Sequence, residues 1–183
     1  MKALLVIDML NDFCKPKGKL YSKRVGNLVN KVKKAIEIAR KKNIYVIYCC
    51  DAHEKNDIEI KRWGEHAMKN TNGCKIVEEL KPFSSDIIVE KRCYNSFGEG
   101  EYKTELDSIL KKLDIKEIIL VGNLTDCCVL FTALGAFYRS YKITVIKDCV
   151  DSITEKNHKN GLYYLKFLFN ASIISLRQFN KNY

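Results

Sequence analysis

The chain has 183 residues, 46% of them hydrophobic, with 32 Lys and Arg against 22 Asp and Glu, for a formal net charge of +10. That length favours a single domain over 1–183 with a core of its own, which excludes a disordered tail or a small disulfide scaffold. No run approaches the roughly 18 uninterrupted apolar residues of a membrane span. The apolar start, MKALLVIDML, is broken by Asp8 and has no small-residue cleavage site after it, so a cytoplasmic protein without a membrane partner is expected. The eight cysteines, among them Cys49, Cys50 and Cys149, lie mostly in or beside apolar runs and read as reduced, small core residues. The positive charge invites a nucleic-acid partner. However, lysines such as those of NKVKKAIEIARKKN (30–43) fall on what reads as an outer helix face, and no aromatic-plus-basic motif accompanies them. No nucleic-acid partner is therefore expected, and a non-catalytic basic binding protein is the alternative of a different class.

The first predicted strand is ALLVI (3–7). Val25, Leu28, Val29, Val32, Ile36 and Ala39 then recur at three- and four-residue steps and predict a helix. IYVIYCC (44–50) predicts a second strand, followed by a long polar stretch, 51–72, that holds two of the three histidines. Such a stretch inside a compact domain is usually functional or disordered. DIIVE (86–90) predicts a third strand, and Leu106, Ile109, Leu110 and Leu113 a helix. EIILVG (117–122), a helix over 125–138, KITVIKD (142–148), a helix over 157–169 and SIIS (172–175) complete the order. The strand runs are nearly continuous and rich in β-branched residues, as in strands buried on both faces of a parallel sheet. Strand and helix alternate, which implies right-handed crossovers. The predicted fold is a three-layer α/β/α sandwich, Rossmann-like, around a six-stranded, mainly parallel sheet.

Sites in open parallel sheets form at the carboxyl ends of the strands. Asp8 stands at the first such end, Asp51 and His53 at the second, Lys91 at the third and 122–128 at the fourth. Cys128 falls in the first turn of a predicted helix, where backbone N–H groups and the helix dipole favour an anion. A cysteine nucleophile needs thiolate character. Asp8 is placed to take the thiol proton, and Lys91 to hold both anions. The residues alone leave open a blander reading: Asp8 closing a loop, Lys91 an ordinary lysine, Cys127 and Cys128 core filler.

Three stretches, LLVIDMLNDF (4–13), VEKRCYNSF (89–97) and VGNLTDCCVLFTALGAFYRSYKITVIKDCVDS (121–152), together resemble the cysteine hydrolases of the isochorismatase-like superfamily. That group includes nicotinamidases and N-carbamoylsarcosine amidases, and the resemblance spans nearly the whole chain. It implies a catalytic triad of Asp8, Lys91 and Cys128, with Cys127 at the variable place. Neighbouring residues entering a helix face about 100° apart, so Cys127 is expected to point elsewhere. The resemblance also implies a cis peptide at Asn123–Leu124 and an oxyanion hole from the N–H groups of Leu124 and Cys128. Isochorismatases proper lack the cysteine, so Cys128 favours C–N cleavage of a small amide, with release of ammonia through a thioester.

The stretch CDAHEKNDIEIKRWGEHAM (50–68) resembles the metal-binding segment of nicotinamidases, an Asp-x-His and a later Trp-x-x-His. The ligands implied are Asp51, His53 and His66, holding a divalent ion, commonly zinc, that binds the ring nitrogen of the substrate. Glu59 is a lesser candidate ligand. Phe13 and Trp63 match the aromatic positions around a pyridine ring. Nicotinamide is the implied substrate, with a carbamoyl amide of the N-carbamoylsarcosine type as alternative, because Ala52 and Gly64 stand where nicotinamidases usually carry Trp and Pro. Leu10, Asn95 and Gly135 also depart from the pattern. A homo-oligomer is implied as well.

Overall fold

In the computed structural model, which describes residues 1–183, the first strand, β1 (Lys2–Ile7), has nothing but apolar side chains after Lys2. Strand side chains alternate between faces. Leu4 and Val6 therefore enter one core and Ala3, Leu5 and Ile7 the other, and both sides of the strand are dry. Only a central strand of a sheet covered on both faces offers such sites.

The other strands are β2 (Tyr45–Asp51), β3 (Ile87–Lys91), β4 (Glu117–Asn123), β5 (Lys142–Asp151) and β6 (Ser172–Ile174). All pair in parallel, in the order β3-β2-β1-β4-β5-β6, so the sheet is parallel throughout. The chain winds outward from β1 to β3, crosses back to lay β4 against β1, and winds outward again. The point where winding reverses lies between β1 and β4, and ligand sites form at such points.

The helices are α1 (Asn11–Cys14), α2 (Lys23–Gly26), α3 (Val29–Lys41), α4 (Ile58–Trp63), α5 (Leu106–Lys112), α6 (Cys128–Tyr138), α7 (Glu155–Phe169) and α8 (Leu176–Asn182). α3 and α8 pack on one face of the sheet, while α5, α6 and α7 supply core residues to the other. On α3, Val32, Ala35, Ile36 and Ala39 are buried and Lys31, Lys33 and Lys34 exposed, as an amphipathic surface helix requires. The helix expected from Val25 onward is instead two helices. Gly26 ends α2 close against the Cys14 carbonyl, and the chain restarts at α3. The 51–72 stretch is ordered by its own short helix, α4, and by backbone bonds between His53 and Ala67 and between Lys69 and His53. The eight cysteines are free thiols, five of them buried. No helix is long and apolar enough to cross a membrane.

Candidate active site

Asp8 follows β1 with a φ of +51°, a left-handed conformation that Asp tolerates better than most residues. Its carboxylate is buried and accepts the Asp51 N–H at 2.9 Å, while Asn123 Nδ2 donates to its carbonyl at 2.6 Å. Lys91, at the end of β3, is also fully buried. Its ammonium lies 2.8 Å from Asp8 Oδ2 and 2.5 Å from Asp51 Oδ1, and donates to the Cys93 carbonyl at 3.2 Å. Burial alone would push the Lys91 pKa down; the two carboxylates outweigh it and hold the ammonium charged. Burial raises the Asp8 pKa to about 6, helped by Asp51 and opposed by Lys91. Burial would raise Asp51 too, but Lys91 and His53 hold it at about 2.

Cys128 opens α6, and its sulfur comes within 4.8 Å of both carboxylates. Three strand ends thus bring together Asp8, Lys91 and Cys128, the three residues singled out in the sequence. The Asn123–Leu124 peptide is cis, as expected. The N–H groups of Leu124 and Cys128 donate to no acceptor within the chain, which leaves both free for a ligand.

Cys127 does not point away. It lines the same pocket as Cys128, and its proximity together with burial pushes the Cys128 pKa well up. The 100° rule applies only between helical residues. Cys127 is the N-cap, with φ −132° and ψ −103°, so its side chain leaves on the pocket side.

Asp51, His53 and His66 also converge, each offering a ligand atom within 4.8 Å of the others. Both imidazoles have Nδ1 engaged: His53 with Asp57 at 3.1 Å and His66 with the Gly64 carbonyl at 2.8 Å. Gly64 ends α4 with a φ of +76°, which no proline can adopt, so the usual Pro could not serve in this turn. The His53 Nε2 is buried without a hydrogen-bond partner, 3.6 Å from Asp51 Oδ2. One carboxylate and two imidazoles with open positions suit zinc, and an orphaned buried nitrogen aimed among them fits a cation. Glu59, on α4, is buried with its carboxylate 3.9 Å from His53 Nε2, and burial raises its pKa to about 7.

Asp8, Cys128, Asp51 and His66 open onto one cavity of about 290 Å³, with Lys91 and His53 buried behind its wall. Phe13 and Trp63 both line it, as expected, and so does Tyr94, which the sequence did not flag as part of the wall. Trp63 Nε1 donates to the Tyr94 hydroxyl at 2.7 Å, and Tyr94 stacks on Phe131 of α6 at 5.7 Å. Asp12, also not singled out, accepts from Ala67 N and Lys19 N, which ties the turn beside His66 to the first motif.

The sequence matches the isochorismatase domain over residues 2–178. The chain belongs to the isochorismatase family. Among solved structures, N-carbamoylsarcosine amidase from Thermoplasma acidophilum is 34% identical, with a TM-score of 0.86 over 96% of each chain. Pyrazinamidase/nicotinamidase from Streptococcus mutans is 29% identical at a TM-score of 0.88, over 95% of this chain and all of that one. Pyrazinamidase from Pyrococcus horikoshii, in complex with zinc, is 27% identical at 0.86, over 95% of this chain and 98% of that one. As an isochorismatase-family protein this chain is a hydrolase, with relatives of both the nicotinamidase and the carbamoyl-amidase kind.

Proposed function

We propose that the protein is a cysteine amidohydrolase that converts nicotinamide, or a closely similar small aromatic amide, to the acid and ammonia. One observation carries this: a buried Lys91 bridges Asp8 and Asp51, and so joins a thiol–carboxylate pair to a three-ligand donor set around one aromatic-walled pocket.

Asp8 takes the proton from Cys128, and the thiolate attacks the amide carbon. The oxyanion is received by the Leu124 and Cys128 N–H groups, an interaction worth about 10²–10³ in rate per donor. Asp8 returns its proton to the departing ammonia, and water then releases the acid from the thioester. Because burial holds Asp8 near pH 6 and the thiol well above its usual range, the resting pair is carboxylate and thiol, and the proton moves as attack begins. Asp51, His53 and His66 would hold a divalent ion, which when bound supplies a Lewis-acidic point for a ring nitrogen. Phe13 and Trp63 flank the ring.

A second substrate, a carbamoyl amide bearing a carboxylate, is favoured by the exposed Lys19 at the pocket wall and by the carbamoylsarcosine amidase likeness. Ammonia release from nicotinamide and from N-carbamoyl amino acids, with and without a chelator, separates the two. Chelator-sensitive turnover of nicotinamide is expected, and turnover of carbamoyl compounds alone would reject it. Cys128→Ala should abolish turnover, whereas Cys127→Ala should retain it within about tenfold. The reverse outcome would move the nucleophile to Cys127.

A further inference from the structure

We propose that Asp57, clamped by Arg92, is a positioning residue that fixes the tautomer of His53 and so preforms the donor set for a cation. This rests on the divalent-ion assignment of Asp51, His53 and His66.

Asp57 occupies the N-cap position of α4, where an Asp side chain ordinarily accepts a hydrogen bond from the first turn. It makes no such bond. Its carboxylate is turned the other way and fully buried against an equally buried His53. Oδ2 meets His53 Nδ1 at 3.1 Å and accepts from the Glu54 N–H at 2.8 Å. Arg92 Nε reaches Oδ1 at 3.0 Å and Oδ2 at 3.2 Å, and its Nη2 adds a further contact to Oδ1.

A charged carboxylate accepts but cannot donate. Carboxylates face both ring nitrogens, but Asp57 meets Nδ1 at 3.1 Å while Asp51 Oδ2 stands off at 3.6 Å, so the proton of a neutral His53 is held on Nδ1 and Nε2 keeps its lone pair toward Asp51. That nitrogen is the one left buried without a partner. The fork of Arg92 fixes the plane of Asp57, a pairing more rigid than a single ammonium contact. Arg92 directly follows Lys91, so one strand end serves both halves of the site: Lys91 orients the carboxylates, and Arg92 orients the carboxylate that orients the histidine.

The test measures zinc affinity of the full chain by competition with a chromophoric chelator, for the parent, Asp57→Ala, Asp57→Asn and Arg92→Gln. Zinc binding should weaken about 10–100-fold in Asp57→Ala. The loss should be smaller in Asp57→Asn, which keeps an acceptor, and in Arg92→Gln, which keeps Asp57. A second readout needs no metal. The nitrogen-15 shifts of the His53 ring, recorded at alkaline pH in metal-free protein, should report the Nδ1-protonated tautomer in the parent and a mixture in Asp57→Ala. Unchanged zinc affinity together with an unchanged tautomer in a folded Asp57→Ala would overturn the proposal. If Asp57→Ala does not fold, parent-like values in both Asp57→Asn and Arg92→Gln would overturn it equally. If the parent binds zinc no better than His53→Ala, the divalent-ion assignment itself fails. Tight, His53-dependent binding in the parent that Asp57→Ala matches rejects Asp57 alone.

Discussion

Asp51 serves two neighbours at once. Oδ1 holds Lys91, and Oδ2 faces His53. Asp51→Asn should therefore weaken the ion pair and the donor set together, with turnover falling by more than Asp57→Ala lowers it. Asp8 shows what the shared lysine does for chemistry. Burial raises its pKa to about 6, Asp51 adds to this, and Lys91 stops it rising further. The base form exists above that value, so kcat/KM should fall about tenfold per unit as pH drops below about 6, with a plateau above. A profile flat down to pH 4 would reject Asp8 as the base. Places at strand ends and a helix start left a purely structural role open for Asp8, Lys91 and Cys128; the three were legible in the sequence because they sit in three motifs that together resemble one family. The role of Cys127 was not, because it depends on a non-helical N-cap conformation that spacing alone does not encode. Asp57 was hidden for a similar reason: nothing in DAHEKND says that its carboxylate abandons the helix it precedes.

Two elements hold the loop before Cys128 in place, and their contact depends on a missing side chain. A Cβ at Gly161 of α7 would sit 2.8 Å from the Thr125 carbonyl carbon and oxygen and 2.9 Å from Asp126 N. The helix rests directly on the backbone of the loop that leads into α6. Thr125 Oγ1 also meets His158 of α7 at 2.9 Å, and Asp126 takes the Ser152 hydroxyl. Gly161→Ala should therefore cost turnover through a shift of the oxyanion donors, with kcat reduced more than KM is raised. The unusual residues at 95 and 135 explain one another. A Cβ at Gly135 would lie 2.6 Å from Asn95 Oδ1 and 2.7 Å from the Phe97 ring. Asn95 fits in the loop after β3 because α6 carries no side chain at position 135. Helix periods in the sequence recovered α5, α6 and α7 within a few residues. The N-terminal helix broke at a glycine pressed on a neighbouring carbonyl, a tertiary contact that periodicity does not register. α8 went unread although Ser175 and Gln178 form a capping box, because seven residues span too few turns to show a period.

Across the whole molecule, the amino ends of the strands, opposite the site, carry a polar cluster of their own. Glu117 accepts from Thr144 at 2.8 Å and from Tyr183 at 2.5 Å, with Lys2 and Lys142 nearby. Burial alone would raise the Glu117 pKa, but these partners hold it below its ordinary 4.5. A depressed carboxyl stabilises the fold above its unfolded pKa, and that contribution is lost as pH falls through the folded value. Glu117→Gln should cost about 1–3 kcal/mol by urea denaturation at neutral pH. The gap from the parent should narrow below pH 4.5. The parallel sheet was legible from the buried, unbroken strands, but the order of strands was not, since it depends on where the winding reverses. That reversal divides the site. Asp8, Asp51 and Lys91 come from the first half of the chain and Cys128 from the second, and within the sheet the two halves join where β4 lies along β1. A growing polypeptide thus carries all three charged residues before Cys128 has been made. Reactivity is withheld until the central strands meet, so turnover is also a direct gauge of whether the two halves have docked.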